Sequence, residues 1–337
     1  MITDARALRP DFVPQDLYHR EGQIDHLSSV LEPSTLSYAE NVCIFGPPGV
    51  GKTTIAKYTL GQLERERFGI RWAYVSCLSE STTGVLHAAA RNADLGADLR
   101  RSGTPRSEPL RRLREYDDQI VVILDEVSVL DEESLLALAG VANVSLVCIT
   151  TDEDHWFSSL SGPATSRMRS AATVHLDKYS HSELCDILDS RLTHGVMSSR
   201  VDDDVVPYVA DLAAGDARRG IAMLRRGVDH VDRTDTERLT TEVINETADG
   251  AEADIRERRI RSLGTHHRLL LRIIEEAGTI DAETLRERYE RQADRPKSDS
   301  SRKRYLKLLR RYELIERVGS GRGSRYRAVT SAHEQTA

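Results

Sequence analysis

Residues Gly46–Thr53 read GPPGVGKT and fit the pattern G-x-x-x-x-G-K-[ST]. Glycines at these places let consecutive backbone N–H groups curl around the oxygens of an anion, and a helix that starts inside the pattern adds the positive end of its dipole. The lysine of such a loop reaches β and γ phosphates, and the hydroxyl after it ligates a divalent cation. Gly46, Pro47, Pro48, Gly49, Val50, Gly51, Lys52, Thr53 and Thr54 are therefore candidate ligands of a nucleoside triphosphate. Lys52 has a catalytic role as well and Thr53 a metal-binding one. Phosphoryl transfer to water also needs an acid for the metal and a base for the water. The stretch QIVVILDEVSVLD supplies both, with Asp125 as metal ligand and Glu126 as base. Thr150 and Thr151, ending VSLVCITT, are candidates for a polar residue between the acidic pair and the phosphates.

These groups need a scaffold, and the periodicity around them describes one. Asn41–Phe45 is a short β-branched apolar run, and Thr53–Leu63 repeats apolar residues at helical spacing. Ile120–Leu124 is continuously apolar, as in a strand of a parallel sheet buried on both faces. Ile70–Cys77 and Val144–Thr151 read as two more strands. The fold class is thus α/β, with a parallel sheet core and its ligands at the C-terminal strand ends. Beyond it, Ser180–Leu192 reads as a helix with a Ser180/Glu183 capping box, and Asp204–Ala214, Asp216–Val231 and Thr236–Thr247 read as further helices. AEADIRERRIRSLG then reads as a connecting helix into a last domain.

That last domain has the order of a winged helix, a relative of helix-turn-helix DNA binders. Its helices are His266–Glu276, Asp281–Arg291 and Ser298–Tyr312, with the break GTI after the first; its hairpin is Leu314–Val318 and Ser324–Val329 around GSGRG. Tyr305, Leu308, Leu309 and Tyr312 form the expected core stripe of the third helix. Lys303, Arg304, Lys307, Arg310 and Arg311 are candidate DNA contacts on its other side, with Arg322 and Arg325 on the wing. Between Arg295 and Arg327 the balance is +9, whereas the whole chain of 337 residues carries −7, which leaves −16 for the rest. Such asymmetry suits a polyanion-binding module on a body that repels polyanions. A second basic cluster, Arg91, Arg100, Arg101, Arg106, Arg111, Arg112 and Arg114, either faces DNA or pairs with the acidic body.

Length predicts two or three domains. No apolar run approaches the ~20 residues that cross a bilayer, and MITDARALRP has no apolar signal region, so a cytoplasmic protein with no membrane partner is expected. Cys43, Cys77, Cys148 and Cys185 are widely spaced in apolar contexts and read as reduced core cysteines. Only six lysines occur among 47 basic residues, a composition like that of proteins from a salty cytoplasm, to which a GC-rich genome also contributes arginine.

In order along the chain, DFVPQDLYHREGQIDHL, GPPGVGKTT, VVILDE, LVCITT, TSRMRS and GDARRGIAMLRRG resemble the AAA+ ATPases of the archaeal origin-recognition and cell-division-control type, the replication initiators, here of haloarchaeal character. The resemblance implies ATP or ADP with Mg2+ as cofactors. It makes Val13, Arg20 and Tyr179 part of the nucleotide pocket and Arg218 a sensor arginine on a helical lid. Arg167, or Arg169 beside it, becomes a candidate arginine finger acting in trans. It places Thr151 where the family usually has Asn, so hydrolysis would be slow, or the protein would act chiefly as a nucleotide-bound switch. It also makes the chain look shorter than typical members. The implied domains are 1–177 (AAA+), 178–262 (lid) and 263–330 (winged helix), with a disordered tail at 331–337. The implied partners are double-stranded origin DNA, the replicative helicase and other initiator subunits, with association with the nucleoid. The implied function is ATP-dependent origin recognition and helicase recruitment. A diverged paralogue that regulates through DNA, or an assembly ATPase without specific DNA binding, are the alternatives.

Overall fold

Five strands form a parallel sheet: β1 (Val42–Phe45), β2 (Ile70–Ser76), β3 (Gln119–Asp125), β4 (Val144–Ile149) and β5 (Ala172–His175), in the order β2-β3-β4-β1-β5. The structure is a computed structural model, and it describes all residues except 15, 33–39, 67–69, 79–81, 101–103, 235, 320–323 and 330–337. The central strands bury both faces, and side-chain alternation sends their residues into two cores. Val121 and Ile123 pack with Ile44, Val147 and the helices α1 (Glu21–Leu31) and α2 (Lys52–Glu66). Val122 and Leu124 pack with Cys43, Phe45 and the helices α3 (Thr82–Asn92), α4 (Ser107–Arg114), α5 (Glu132–Ala139), α6 (Glu153–Ser158) and α7 (Gly162–Arg169). Helices on both faces are what a parallel sheet requires, because neither face can be left to water.

The segment expected to form the lid folds into α8 (His181–Gly195), α9 (Val205–Ala213), α10 (Ala217–Arg233) and α11 (Thr241–Ser262). Ser180 and Glu183 cap α8 reciprocally, as expected. The N-terminal segment is tied along α8: Arg191 donates to the Ala7 carbonyl at 2.9 Å and the Phe12 carbonyl at 3.2 Å. The break expected after Thr247 is absent. Gly250 costs a helix only about 1 kcal/mol, and its neighbours Ala248, Ala251 and Glu252 are good helix formers, so α11 runs through.

By internal contacts the chain divides into two units, 1–248 and 249–337. The second holds α12 (Thr265–Ala277), β6 (Thr279–Asp281), α13 (Ala282–Gln292), α14 (Asp299–Arg311), β7 (Ile315–Val318) and β8 (Arg325–Ala328). Its sheet is antiparallel in the order β6-β8-β7, so GTI, read as a break, contributes a third strand. This is the element order that a winged helix has. The core stripe of α14 needs correction: Arg302, Leu306, Leu308 and Leu309 are buried, whereas Tyr305 and Tyr312 are only half-buried. Tyr305 instead lies flat against His266, with ring centroids 6.2 Å apart, and tilted against His267 at 4.3 Å. Cys43, Cys77 and Cys148 are core residues, and Cys185 is half-buried on α8. No described helix is long and apolar enough to cross a membrane.

Candidate functional site

The loop between β1 and α2 depends on its glycines. Gly46 and Gly49 have φ of 147° and 77°, a region that side chains rarely enter. A Cβ on Gly46 would stand 2.2 Å from the Leu176 carbonyl oxygen, and one on Gly49 would stand 1.8 Å from Asp216 Oδ1. Lys52 Nζ reaches back over the loop and donates to the carbonyls of Gly46 and Pro47, each at 2.7 Å. The result is a cradle of main chain with a cation at its mouth, which fits phosphate oxygens.

At the ends of the neighbouring strands lie the acids. Thr53 Oγ1 donates to Asp125 Oδ2 at 2.8 Å, which leaves the hydroxyl's lone pairs for a cation. Tyr74, on β2, donates to the same oxygen at 3.0 Å, and Asp125 Oδ1 accepts from the Glu126 amide at 3.0 Å. Lys57 Nζ sits 3.7 Å from the centre of the Tyr74 ring. Burial lowers the pKa of Lys57, opposed by the charges of Asp125 and Asp11. Burial, then Asp125, raises that of Tyr74. Glu126 has φ 56° and ψ 45°, a left-handed conformation that costs a non-glycine residue about 1–3 kcal/mol. It turns the chain off the strand end into the 3-10 turn Val127–Val129.

β4 lies between β3 and β1, so Thr150 and Thr151 end their strand between the acids and the loop. Both hydroxyls are buried without a hydrogen-bond partner among the described residues. Orphaned polar atoms of this kind mark a place where a ligand or water completes the bonding.

The lid closes on the loop from the other side. Asp216 caps α10 by accepting from the Arg219 amide at 3.0 Å, and the Ala217 amide donates to the Gly49 carbonyl at 3.2 Å. Arg218 follows, exposed on the first turn of α10 and without an ion pair or hydrogen bond among the described residues. Arg20 is buried; its guanidinium stacks 4.1 Å from the centre of the Tyr179 ring and donates to the Asp177 carbonyl at 2.8 Å. The Tyr179 hydroxyl lies near Gly51, and Val13 is half-buried on the same N-terminal segment. Arg167 caps the end of α5 at the Ala139 carbonyl, and Arg169 lies over Phe157 at 4.7 Å, so both engage their own chain. Tyr74 and Asp216 belong to this constellation, and the motif reading had missed both.

In the C-terminal unit, Lys303, Lys307 and Arg310 are exposed along α14, and Arg325 is exposed on β8. Lys303 pairs with Asp299 at 2.7 Å. Arg304 donates to Ser301 Oγ at 3.3 Å, and Arg311 lies 6.0 Å from the Tyr312 ring centre. Arg302, buried, joins α14 to Glu290 of α13 at 3.5 Å. Arg322 lies outside the described residues. In the other basic cluster the ion-pair alternative accounts for three members. Arg106 pairs with Glu133 at 2.8 Å, Arg111 with Glu108 at 2.6 Å, and Arg112 with Asp98 at 2.8 Å. Arg111 and Arg112 together hold the Glu108 carboxyl down to about 2. Arg91, Arg100 and Arg114 are exposed, and Arg101 lies outside the described residues.

Residues 16–161 match the AAA ATPase domain, and residues 185–249 match the Cdc6 AAA+ ATPase-type lid domain. The chain is 33% identical over 335 residues to ORC1-type DNA replication protein 9 of Halobacterium salinarum, covering 98% of this chain and 95% of the relative. It is 35% identical over 302 residues to ORC1-type DNA replication protein 1 of the same organism, covering 88% of this chain and 98% of the relative. It therefore has nearly the full span of these two relatives, although it matches only 70% of a Sulfurisphaera tokodaii relative. Among solved structures it resembles the Aeropyrum pernix ORC1 protein in complex with DNA, with a TM-score of 0.74 and 24% identity over 99% of this chain and 94% of that one. It also resembles the A. pernix ORC2 protein in its ADPNP–ADP complexes, with a TM-score of 0.65 and 22% identity over 97% and 94%.

Proposed function

Because the chain belongs to the Orc1/Cdc6-type family of archaeal replication-initiator AAA+ ATPases, we propose that it is an ATP-dependent switch that binds origin DNA and helps recruit the replicative helicase. The observation that carries this reading is the docking of the lid on the phosphate loop, Ala217 amide to Gly49 carbonyl, beside an assembled Lys52, Thr53, Asp125 and Glu126. Family membership supports ATP and ADP as ligands. The glycine cradle fits their phosphates, and Thr53 with Asp125 fits Mg2+, which when bound neutralises developing charge on the phosphates.

The chain's own residues divide the work. Lys52 and the loop amides orient the phosphates, and Glu126 polarises the attacking water. Thr151 offers that water a hydroxyl in place of an amide, which keeps hydrolysis slow and the ATP state long-lived. Arg218 reports the γ-phosphate to the lid, and Arg20, Tyr179 and Val13 hold the base. Whether Arg167 or Arg169 serves a neighbouring subunit depends on its leaving its present partner. Lys303, Arg304, Lys307, Arg310, Arg311, Arg322 and Arg325 meet the duplex, in the cytoplasm at the nucleoid.

Footprinting of the full-length protein at high salt tests this. Protection of a discrete site should differ between ATP and ADP, and Lys52→Ala should lose both ATP retention and that difference. Identical footprints in the two nucleotides would end the switch reading. The second reading, a paralogue that regulates without initiating, is favoured by Thr151 standing where the family usually has Asn. Genome-wide occupancy separates the two: one sharp site at a replication start supports the initiator, and promoter-scattered sites support the regulator.

A further inference from the structure

We propose that Tyr74 is a positioning residue for the metal-binding carboxylate, a role that rests on the reading of Asp125 as the Mg2+ acid. β2 pairs in parallel with β3, and their register sets Ser76 beside Asp125 and Tyr74 beside Ile123. From there the Tyr74 hydroxyl reaches Asp125 Oδ2 at 3.0 Å, the oxygen that Thr53 Oγ1 already contacts at 2.8 Å.

A carboxylate oxygen has two acceptor sites. Oδ2 therefore has both filled, whereas Oδ1 accepts only from the Glu126 amide among the described residues and keeps one site open. Three donors also stop the carboxylate from rotating about its terminal torsion, which is otherwise broad and two-fold. Tyr74 thus fixes which oxygen is spent inside the protein and which is left for the hydration shell of a cation.

The ring is itself held. Lys57 lies four residues after Thr53 on α2, so both side chains leave one face of that helix. Thr53 ties α2 to β3, and the Lys57 ammonium, 3.7 Å from the ring centre, ties α2 to Tyr74 on β2. Both ties start from the helix that follows the phosphate loop, so that helix holds the acid on β3 and the tyrosine on β2 together.

Tyr74→Phe keeps the ring and its stacking on Lys57 and removes only the hydroxyl. Retention of radiolabelled ATP by the full-length protein is measured against Mg2+ concentration, and again in excess EDTA, for the parent, Tyr74→Phe and Asp125→Asn. The Mg2+ needed for half-maximal retention should rise about tenfold or more in Tyr74→Phe, as for loss of one hydrogen bond to a charged acceptor. Retention in EDTA should stay at the parental level. A parental Mg2+ titration for Tyr74→Phe, with Asp125→Asn displaced, overturns the role of Tyr74 alone. A parental titration for Asp125→Asn overturns the metal reading and this proposal with it. Equal losses with and without Mg2+ in Tyr74→Phe reduce the tyrosine to a packing role and also overturn it.

Discussion

Thr151, two residues past the end of β4, has a buried hydroxyl that no described residue satisfies. An asparagine there would offer an amide with two N–H donors and a carbonyl acceptor on a longer arm, where the threonine has one O–H, and one added hydrogen bond to the attacking water is worth up to about tenfold in rate. Thr151→Asn should therefore raise single-turnover phosphate release by about that factor, while Glu126→Gln should retain ATP and release almost none. A Thr151→Asn variant that hydrolyses at the parental rate would show that the threonine does not limit turnover. Lys52, Thr53, Asp125 and Glu126 were legible because each lies in a short motif whose chemistry is local. Tyr74 was not, since it stands 51 residues before Asp125 and reaches it only through strand register. Asp216 was hidden for a similar reason: its helix-capping role is readable, but its place against Gly49 depends on how the lid packs.

Among the elements, α12 carries a buried histidine whose titration should be felt in stability. His267 lies against Tyr305 of α14, and burial, then neighbouring His266, pushes its pKa from 6.5 down to about 4. Its neutral form suits the fold, so the unfolded chain binds more protons between those values. Stability is then full above pH 6.5 and falls as the pH drops from 6.5 towards about 4. The loss at pH 5 is about 2 kcal/mol. Thermal melts of the full-length protein at pH 7 and pH 5 check this, and His267→Leu should flatten the difference for the transition that involves the C-terminal unit. Helix starts were the most readable elements, because caps such as Ser180 and Asp216 act locally. β6 escaped notice because three residues carry too little alternation to announce a strand, and α14 hid its buried face because Arg302 is charged. That arginine enters the interior only by pairing with Asp299 and Glu290.

For the whole molecule, charge is distributed so that one short segment is basic and the remainder acidic. If four to six of the candidate cations on α14 and β8 meet phosphates, log K should fall against log salt with a slope of about −4 to −5. Lys307→Ala should make that slope shallower by about 1 while weakening all sequences alike. A slope near zero, measured by fluorescence anisotropy from low to high KCl, would remove the phosphate role of these residues. In concentrated salt such contacts add little, so site preference must come from base edges and duplex shape. The composition announced this division of charge, whereas the pairing of Arg106 with Glu133 of α5 and of Arg112 with Asp98 became visible only in the folded chain; Arg111 with Glu108 is a spacing within α4 itself.

The strand order has a consequence for the birth of the protein. β1, which leads into the phosphate loop, has no sheet neighbour close in sequence: Val42 pairs with Val147 on one side and Ala172 on the other. During synthesis β1 emerges early and must wait, apolar and unpaired, for partners made more than a hundred residues later. β1 can be flanked on both sides only after Ala172 has been made, so a loop held as in the folded sheet reports that all five strands of that sheet have left the ribosome.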